Sequence, residues 1–365
     1  MIDTTVTTQR LRMIKSLLNK HLQSDDDKKA ILYSNTAASC DTFQNNIDSW
    51  LDGNDTICGD TLLIKGMLES EWKFKAATMF TTKPLSTSDL VDKNRYYPRI
   101  LIATASCIGA GLDCSEVYCV IRDGFPASMM HLSQELGRCG RERSIGKDGY
   151  SDNFELILNM ESFVYLNERL YVTEKTQKPD KSNVSATSDE NDTIKKVDYV
   201  NLRQQSLLDV ASMIFTNKGC WHSYIENDSV INNIETNLHS ECRNACPFCI
   251  NKCSDFILPV NKEGTVKMLA DIFIANCVGE MNCVDMVDKI KKYNNVGTLV
   301  YGRRTPVPPG TKFIQSTVIA LISCDLLKLN ITFEEQPKAT CKLSVNDKSF
   351  PNMYDNSRWL TMYLL

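Results

Sequence analysis

The stretch from Ile100 to Arg141, ILIATASCIGAGLDCSEVYCVIRDGFPASMMHLSQELGRCGR, decides how the chain is read. An apolar run from Arg99 to Thr104 ends at a turn of small residues between Ala105 and Gly111, and a second apolar run spans Val117 to Ile121. Short apolar runs of this kind are strands of a parallel sheet covered on both faces. A helical stretch from Ala127 then leads into Gln134-x-x-Gly137-Arg138-x-Gly140-Arg141. Arginines three residues apart share a helical face or hold fixed places in a turn, so both can point into one cleft. The glycines beside them allow close approach to a polyanion, which guanidinium groups grip bidentately. That is the chemistry of a nucleoside triphosphate sensor. Upstream, Thr104, Ser106, Gly109, Gly111 and Asp113 add hydroxyls, accessible backbone amides and a carboxylate able to accept from a ribose hydroxyl. A lone Gly/Arg-rich segment also reads as a solvated turn. The strand–turn–strand–helix context favours the site, because parallel sheets bind ligands at the ends of their strands.

Composition bounds the rest. The 365 residues are enough for two or three domains, and 42% hydrophobic with 24% charged residues is ordinary globular usage. No apolar run approaches the ~20 residues that span a bilayer, and MIDTTVTTQRLRMIK lacks the apolar region of a signal peptide, so the expected location is intracellular, nuclear in a eukaryote. A net charge of −4 excludes a global basic field, leaving nucleic-acid binding to local patches. Of the fifteen cysteines, Cys107, Cys119, Cys277 and Cys324 sit singly in apolar stretches and read as small buried hydrophobes.

Outward from the opening stretch, strands and helices alternate. Gln9–Leu22 reads as a helix, Ala30–Asn35 as a strand, Ala37–Leu51 as a helix and Thr61–Gly66 as a strand. Glu69–Phe80 reads as a helix with Trp72, Ala76 and Phe80 on its inner face. Beyond the arginine motif, Asn153–Asn159 is a strand and Glu161–Tyr171 a helix. Thr173–Asp198 is nearly free of apolar residues and reads as a disordered linker or insertion. After it the pattern turns helical. Val266–Ala275, Val284–Tyr293 and Phe313–Leu329 read as three helices, followed by a ribbon of Ile331–Glu335 and Ala339–Val345 around the turn Gln336-Pro337. Cys242-x3-Cys246-x2-Cys249-x3-Cys253 puts four thiols in one polar loop, a spacing that fits tetrahedral Zn²⁺.

The opening stretch resembles motifs V and VI of superfamily 2 helicases, most closely those of the RecQ-like family. Ala103-Thr-Ala-Ser-x-x-Gly109-x-Gly111-x-Asp113, the Val117–Ile121 strand, Pro126 with Ser128, and Gln134-Glu-x-Gly-Arg-x-Gly-Arg141 carry the resemblance. Ala30–Thr36 is similar to motif IV, and Leu63–Phe80 resembles the stretch that follows it. The resemblance covers residues 25–171 and implies an α/β RecA-like helicase lobe, a parallel sheet with helices on both faces. It makes Arg141 an arginine finger, with Arg138 beside it on phosphate and Gln134 linking nucleotide to the nucleic-acid groove. Asp113, Gly111 and Gly137 would border the nucleotide, and Thr104 and Ser106 would contact a single-strand phosphate. Lys65 stands near a place where the family has a histidine.

The implied cofactors are ATP and Mg²⁺, yet the 365 residues contain no G-x-x-x-x-G-K-[ST] loop and no DEAH-type box. Those groups belong to a first lobe, expected from a longer chain or a partner, so the chain alone is expected not to turn over ATP. RecQ-like proteins follow the second lobe with a helical zinc subdomain and a winged helix. By that resemblance the zinc ligands are Cys220, Cys246, Cys249 and Cys253, with Cys242 in reserve and His222 and His239 behind it; the x3 spacing before Cys253 departs from the family's x2. The basic loop Gly302–Lys312 reads as a solvated surface or as a phosphate-contacting loop with Arg303, Arg304 and Lys312. The hairpin tip, Glu335 to Lys338, lacks the aromatic residue that some family members use to part a duplex.

The expected organisation is therefore a RecA-like C-terminal lobe over 1–172, a linker over 173–198, a helical zinc-binding subdomain over 199–258 and a winged-helix-like α+β domain over 259–365. The implied activity is part of a 3′-to-5′ DNA helicase acting on single strands or duplex junctions, with no membrane partner. The rival is a non-catalytic zinc and winged-helix protein that binds DNA or a partner.

Overall fold

The computed structural model describes residues 8–22, 28–51, 60–66, 68–82, 98–105, 107–108, 112–139, 153–167, 190–215, 220–221, 225, 265–277, 279–292, 311–323, 325–333 and 339–346. They belong to two compact units, Met1–Pro126 with Met130–Ser162, and Phe163–Leu365 with Ala127–Met129.

In the first unit the order is α1 (Thr8–His21), β1 (Lys29–Ser34), α2 (Ala37–Leu51), β2 (Asp60–Ile64), α3 (Ser70–Thr81), β3 (Pro98–Thr104), β4 (Val117–Asp123), α4 (Met129–Leu136) and β5 (Asn153–Ile157). The five strands form one parallel sheet in the order β2-β3-β1-β4-β5. A parallel sheet with helices on both faces fits a RecA-like lobe, the fold class expected for this region.

Strand alternation decides which helix covers which face. Ala30 and Leu32, Ile100 and Ile102, and Cys119 and Ile121 pack against Ile14 and Leu18 of α1 and Phe43 and Ile47 of α2. Ile31 and Tyr33, Leu101 and Ala103, and Leu62 and Ile64 face the other way, onto Ala76 and Phe80 of α3 and onto Ile108 and Leu112. The register of β4 against β1 shifts so that Lys29 pairs Val117 while Ala30 pairs Cys119, a bulge at Tyr118. Val117 and Val120, three apart, therefore share one face.

Local chemistry sets the helix ends. Thr36 caps α2, its Oγ1 accepting the Ser39 backbone N–H at 3.0 Å. Lys29 is fully buried, and its Nζ donates to the Phe80 carbonyl and, at 3.0 Å, to that of Thr82. An ammonium at a helix C-terminus satisfies orphan carbonyls and the dipole together. Trp72 departs from the expected inner stripe of α3: Ala76 and Phe80 are buried, but Trp72 is 49% exposed and stacks under Lys75.

In the second unit the order is α5 (Glu190–Phe215), α6 (Thr265–Asn276), β6 (Met281–Asn282), α7 (Cys283–Lys291), α8 (Thr311–Ser323), β7 (Leu327–Phe333) and β8 (Ala339–Val345). The strands make an antiparallel sheet ordered β6-β8-β7. Two expectations are corrected. Helix α5 begins at Glu190, inside the segment read as a linker, with Lys195 and Lys196 among its first turns. The helix expected over Phe313–Leu329 stops at Ser323, and the strand expected from Ile331 begins at Leu327. Asp325 adopts φ 60°, its N–H bonding Ile322 O at 2.9 Å, while Leu326 N–H bonds Leu321 O at 2.9 Å. That is a Schellman stop with aspartate in the left-handed position and a buried Leu321–Leu326 pair beside it. Among the described residues no helix is long and apolar enough to cross a membrane.

Candidate nucleotide and nucleic-acid face

Strand order makes the C-terminal rim the place for a ligand. From β1 the chain runs outward to β2 at one edge, and from β4 it runs to β5 at the other, so the connections diverge between β1 and β4. The β3–β4 loop leaves β3 at this rim and runs back to the start of β4, and the turn after α4 lies against it. They touch: Arg138 Nη1 donates to the Leu112 carbonyl at 2.7 Å. The two halves of the opening stretch, expected to serve one site, are thus adjacent.

The structure separates the candidate residues by exposure. Gln134 lies exposed on α4 and Gly137 exposed in the turn, with Gly137 N–H on Ser133 O at 2.9 Å. Asp113 is exposed on the loop before β4. Arg138 is instead 5% exposed, sits in the turn rather than on the helix, and also hydrogen-bonds the Tyr33 side chain. Thr104 is buried at the end of β3, its hydroxyl donating to Cys107 Sγ at 2.8 Å. In this arrangement Arg138 and Thr104 hold the rim together from inside. Cys107 is half-buried, not enclosed as expected, whereas Cys119 and Cys277 are buried. Burial pushes the Cys40 thiol up to about 12 and that of Cys114 to about 11, so neither is a nucleophile at neutral pH. Lys65 pairs with Asp41 at 2.6 Å.

Ser106, Gly109, Gly111, Gly140 and Arg141 lie outside the described residues, as do Cys242, Cys246, Cys249, Cys253, His222, His239, Arg303 and Arg304; of Lys312 the backbone alone is described. Cys220 is buried. Among the described residues no group of three or more His, Cys, Asp or Glu is placed to hold a metal.

The rim also carries charges that the motif reading passed over. Strand β4 ends in Arg122 and Asp123, which alternate onto opposite faces. Asp123 meets Arg10 of α1 on one side, with Arg10 Nε on Oδ1 at 2.9 Å and a second bond from Nη2 to Oδ2, and accepts Ser34 Oγ at 3.3 Å. On the other side Arg122 Nη2 donates to Asn35 Oδ1 and, at 2.7 Å, to the Phe125 carbonyl, while Nη1 lies 3.4 Å from Glu135 Oε1. Burial holds the Glu135 carboxyl above the usual carboxylate range against the pull of Arg122. Burial likewise raises the Tyr33 phenol, so Tyr33 stays a hydrogen-bonding group. Gly124 follows at φ 87°, where a Cβ would lie 2.7 Å from Ser162 Cβ. A charged pair directly after an apolar strand was the available signal for these residues.

No protein-family model matches the sequence, and no curated protein matches it. Solved structures are similar over about half of the chain. Mss116p DEAD-box helicase domain 2 bound to an RNA duplex is 17% identical, covering 56% of this chain and 78% of that one at a TM-score of 0.30. S. cerevisiae Dbp5 bound to Gle1 and IP6 is 15% identical, covering 53% and 42% at a TM-score of 0.31. T. fusca Cas3 with ATP is 14% identical, covering 55% and 26% at a TM-score of 0.32. The chain spans less than two thirds of the length of two of these structures. At such TM-scores the likeness does not bear on function, and the residues of the rim carry the reading that follows.

Proposed function

We propose that the chain is the second-lobe and C-terminal portion of a RecQ-like ATP-dependent DNA helicase. The supporting observation is the Arg138–Leu112 contact, which ties the two sequence motifs of the opening stretch into one rim at the divergence of a parallel sheet. On this reading Arg141 stabilises charge on the transferring phosphate, Asp113 and Gln134 present exposed polar groups to nucleotide and strand, and Arg138 and Thr104 keep the loops in register. ATP and Mg²⁺ bind against a first lobe that carries the phosphate loop. The helix–strand–helix–helix–hairpin order from α6 to β8 supports a winged helix, with Arg303, Arg304 and Lys312 gripping phosphates ahead of α8. Zn²⁺ held by Cys220, Cys246, Cys249 and Cys253 is a structural site, and metal analysis of reductant-protected protein is expected to find one zinc per chain.

Fluorescence anisotropy of a labelled single strand tests the reading. Binding at about 50 mM salt that weakens linearly in log–log form as salt rises is expected. No binding at low salt would contradict the reading and leave, of the rival zinc and winged-helix protein that binds DNA or a partner, only the partner-binding form.

A further inference from the structure

The pair Arg122–Glu135 is used by none of the motifs. Arg122 is fully buried and Glu135 is 3% exposed, yet their approach of 3.4 Å is not a hydrogen bond. Among the described residues, no hydrogen bond reaches Arg122 Nε or Nη1, or either carboxyl oxygen of Glu135. Desolvating two ions costs several kcal/mol each, and well-packed apolar residues of the same volume are often as stable or more so. Fold stability therefore does not account for the pair.

Its place in the chain does. Through Nη2, Arg122 joins Asn35, just after β1, to the Phe125 carbonyl, just after β4. Glu135 stands in the last turn of α4, and its backbone carbonyl accepts the Arg138 N–H at 3.2 Å. Arg138 in turn reaches Leu112 of the β3–β4 loop at 2.7 Å and the Tyr33 side chain. Three rim segments are thus referred to one charged centre. An apolar contact tolerates sliding and rotation, whereas a charge pair favours one relative placement of its two backbones.

We propose that Arg122 and Glu135 are positioning residues: their pairing fixes the Gly137–Cys139 turn against the rim, so that the exposed face formed by Gln134 and Gly137 meets a phosphate-bearing ligand in one orientation. The inference about the ligand rests on the nucleotide reading above; the inference about the turn does not. Neither residue touches the ligand, and both act through Arg138 and the segment it begins.

The test separates stability from placement. The parent chain, Arg122→Met, Glu135→Leu and the double variant are compared by thermal unfolding and by amide hydrogen exchange, with tripolyphosphate affinity measured in parallel. Each single variant is expected to lower Tm by several degrees, since it strands a buried charge. The double variant is expected to recover the parent's Tm, while the amides of Gly137, Arg138 and Cys139 exchange about tenfold faster and those of β1 and β3 do not change. Tripolyphosphate affinity is expected to fall with the faster exchange. Recovered Tm with unchanged exchange in the turn overturns the proposal, because the pair would then be structural alone. Should the double variant not fold, the near-isosteric Glu135→Gln decides by the same criterion: faster exchange in the turn supports the proposal, and parental exchange overturns it. A parent that does not bind tripolyphosphate refutes the phosphate reading of the rim, and the exchange data still decide whether the pair positions the turn.

Discussion

Gly124 shows how a single residue can set the rim. Its φ of 87° lies where L side chains are strained, and a Cβ would meet Ser162 Cβ at 2.7 Å, so neither conformation nor space admits a methyl group. The Ser162 hydroxyl in turn receives the Phe125 N–H at 2.9 Å, anchoring the segment between β4 and α4. Gly124→Ala is expected to destabilise the chain by about 2–4 kcal/mol in urea unfolding, from left-handed strain and overpacking together. A change under about 0.5 kcal/mol, the range of an ordinary surface substitution, would contradict this account of the turn. Arg10 makes a second case, because Arg10→Met would leave buried Asp123 with Ser34 as its remaining side-chain hydrogen-bond partner among the described residues. A loss of about 3–5 kcal/mol is the usual consequence of breaking a buried pair.

At the scale of elements, the ends are where sequence and structure part. Helix α2 falls on the residues its pattern indicated, Ala37–Leu51, because Thr36 supplies a cap with its own sequence signature. Strands β1, β3 and β4 were legible as apolar runs, since a sheet covered on both faces needs little else. The end of α8 was not legible. Cys324-Asp325-Leu326 contains neither Gly nor Pro, and the Schellman stop there depends on an aspartate accepting φ 60°. Asp325→Gly removes that strain and is expected to raise stability by roughly 0.5–1 kcal/mol, read as a higher unfolding midpoint. A lower midpoint would mean that the Asp325 side chain contributes more than its backbone strain costs. The start of α5 escaped for the opposite reason: its first residues are mostly polar and lack an apolar stripe, so composition reads as linker. The paired charges at the end of β4 were visible only as letters. A single sequence does not say that Arg122 and Asp123 turn inward, because that follows from which helices cover each face of the sheet. Likewise Arg138 and Thr104 read as ligand contacts, and only the backbone around Leu112 and Cys107 reveals their inward bonds.

On the scale of the whole molecule, acid response and ligand footprint follow from where charges and strand ends lie. Glu155 on β5 is held below the usual carboxylate range, first by a hydrogen bond with His21 at 3.1 Å and then by Lys20, with burial opposing. A depressed carboxyl adds stability above its unfolded pKa and loses it as pH falls through the folded value. Glu155→Gln should therefore be less stable than the parent near pH 7, and the gap should close below about pH 4, near the ordinary glutamate value. A gap that persists in acid would mean the contact is packing and not charge. The footprint bears on the proposed reading as a whole, which takes the β1–β4 divergence, the Arg138–Leu112 contact and the exposed Gln134 as its grounds for a ligand at the C-terminal rim. Amide hydrogen exchange of the full chain, with and without a short single-stranded DNA at low salt, tests this most directly. The account predicts protection over 34–36, 104–113 and 134–141, with the opposite rim at 28–29, 98–99 and 116 unchanged. Protection concentrated at that opposite rim, or absent from 134–141 while the DNA is bound, would contradict it.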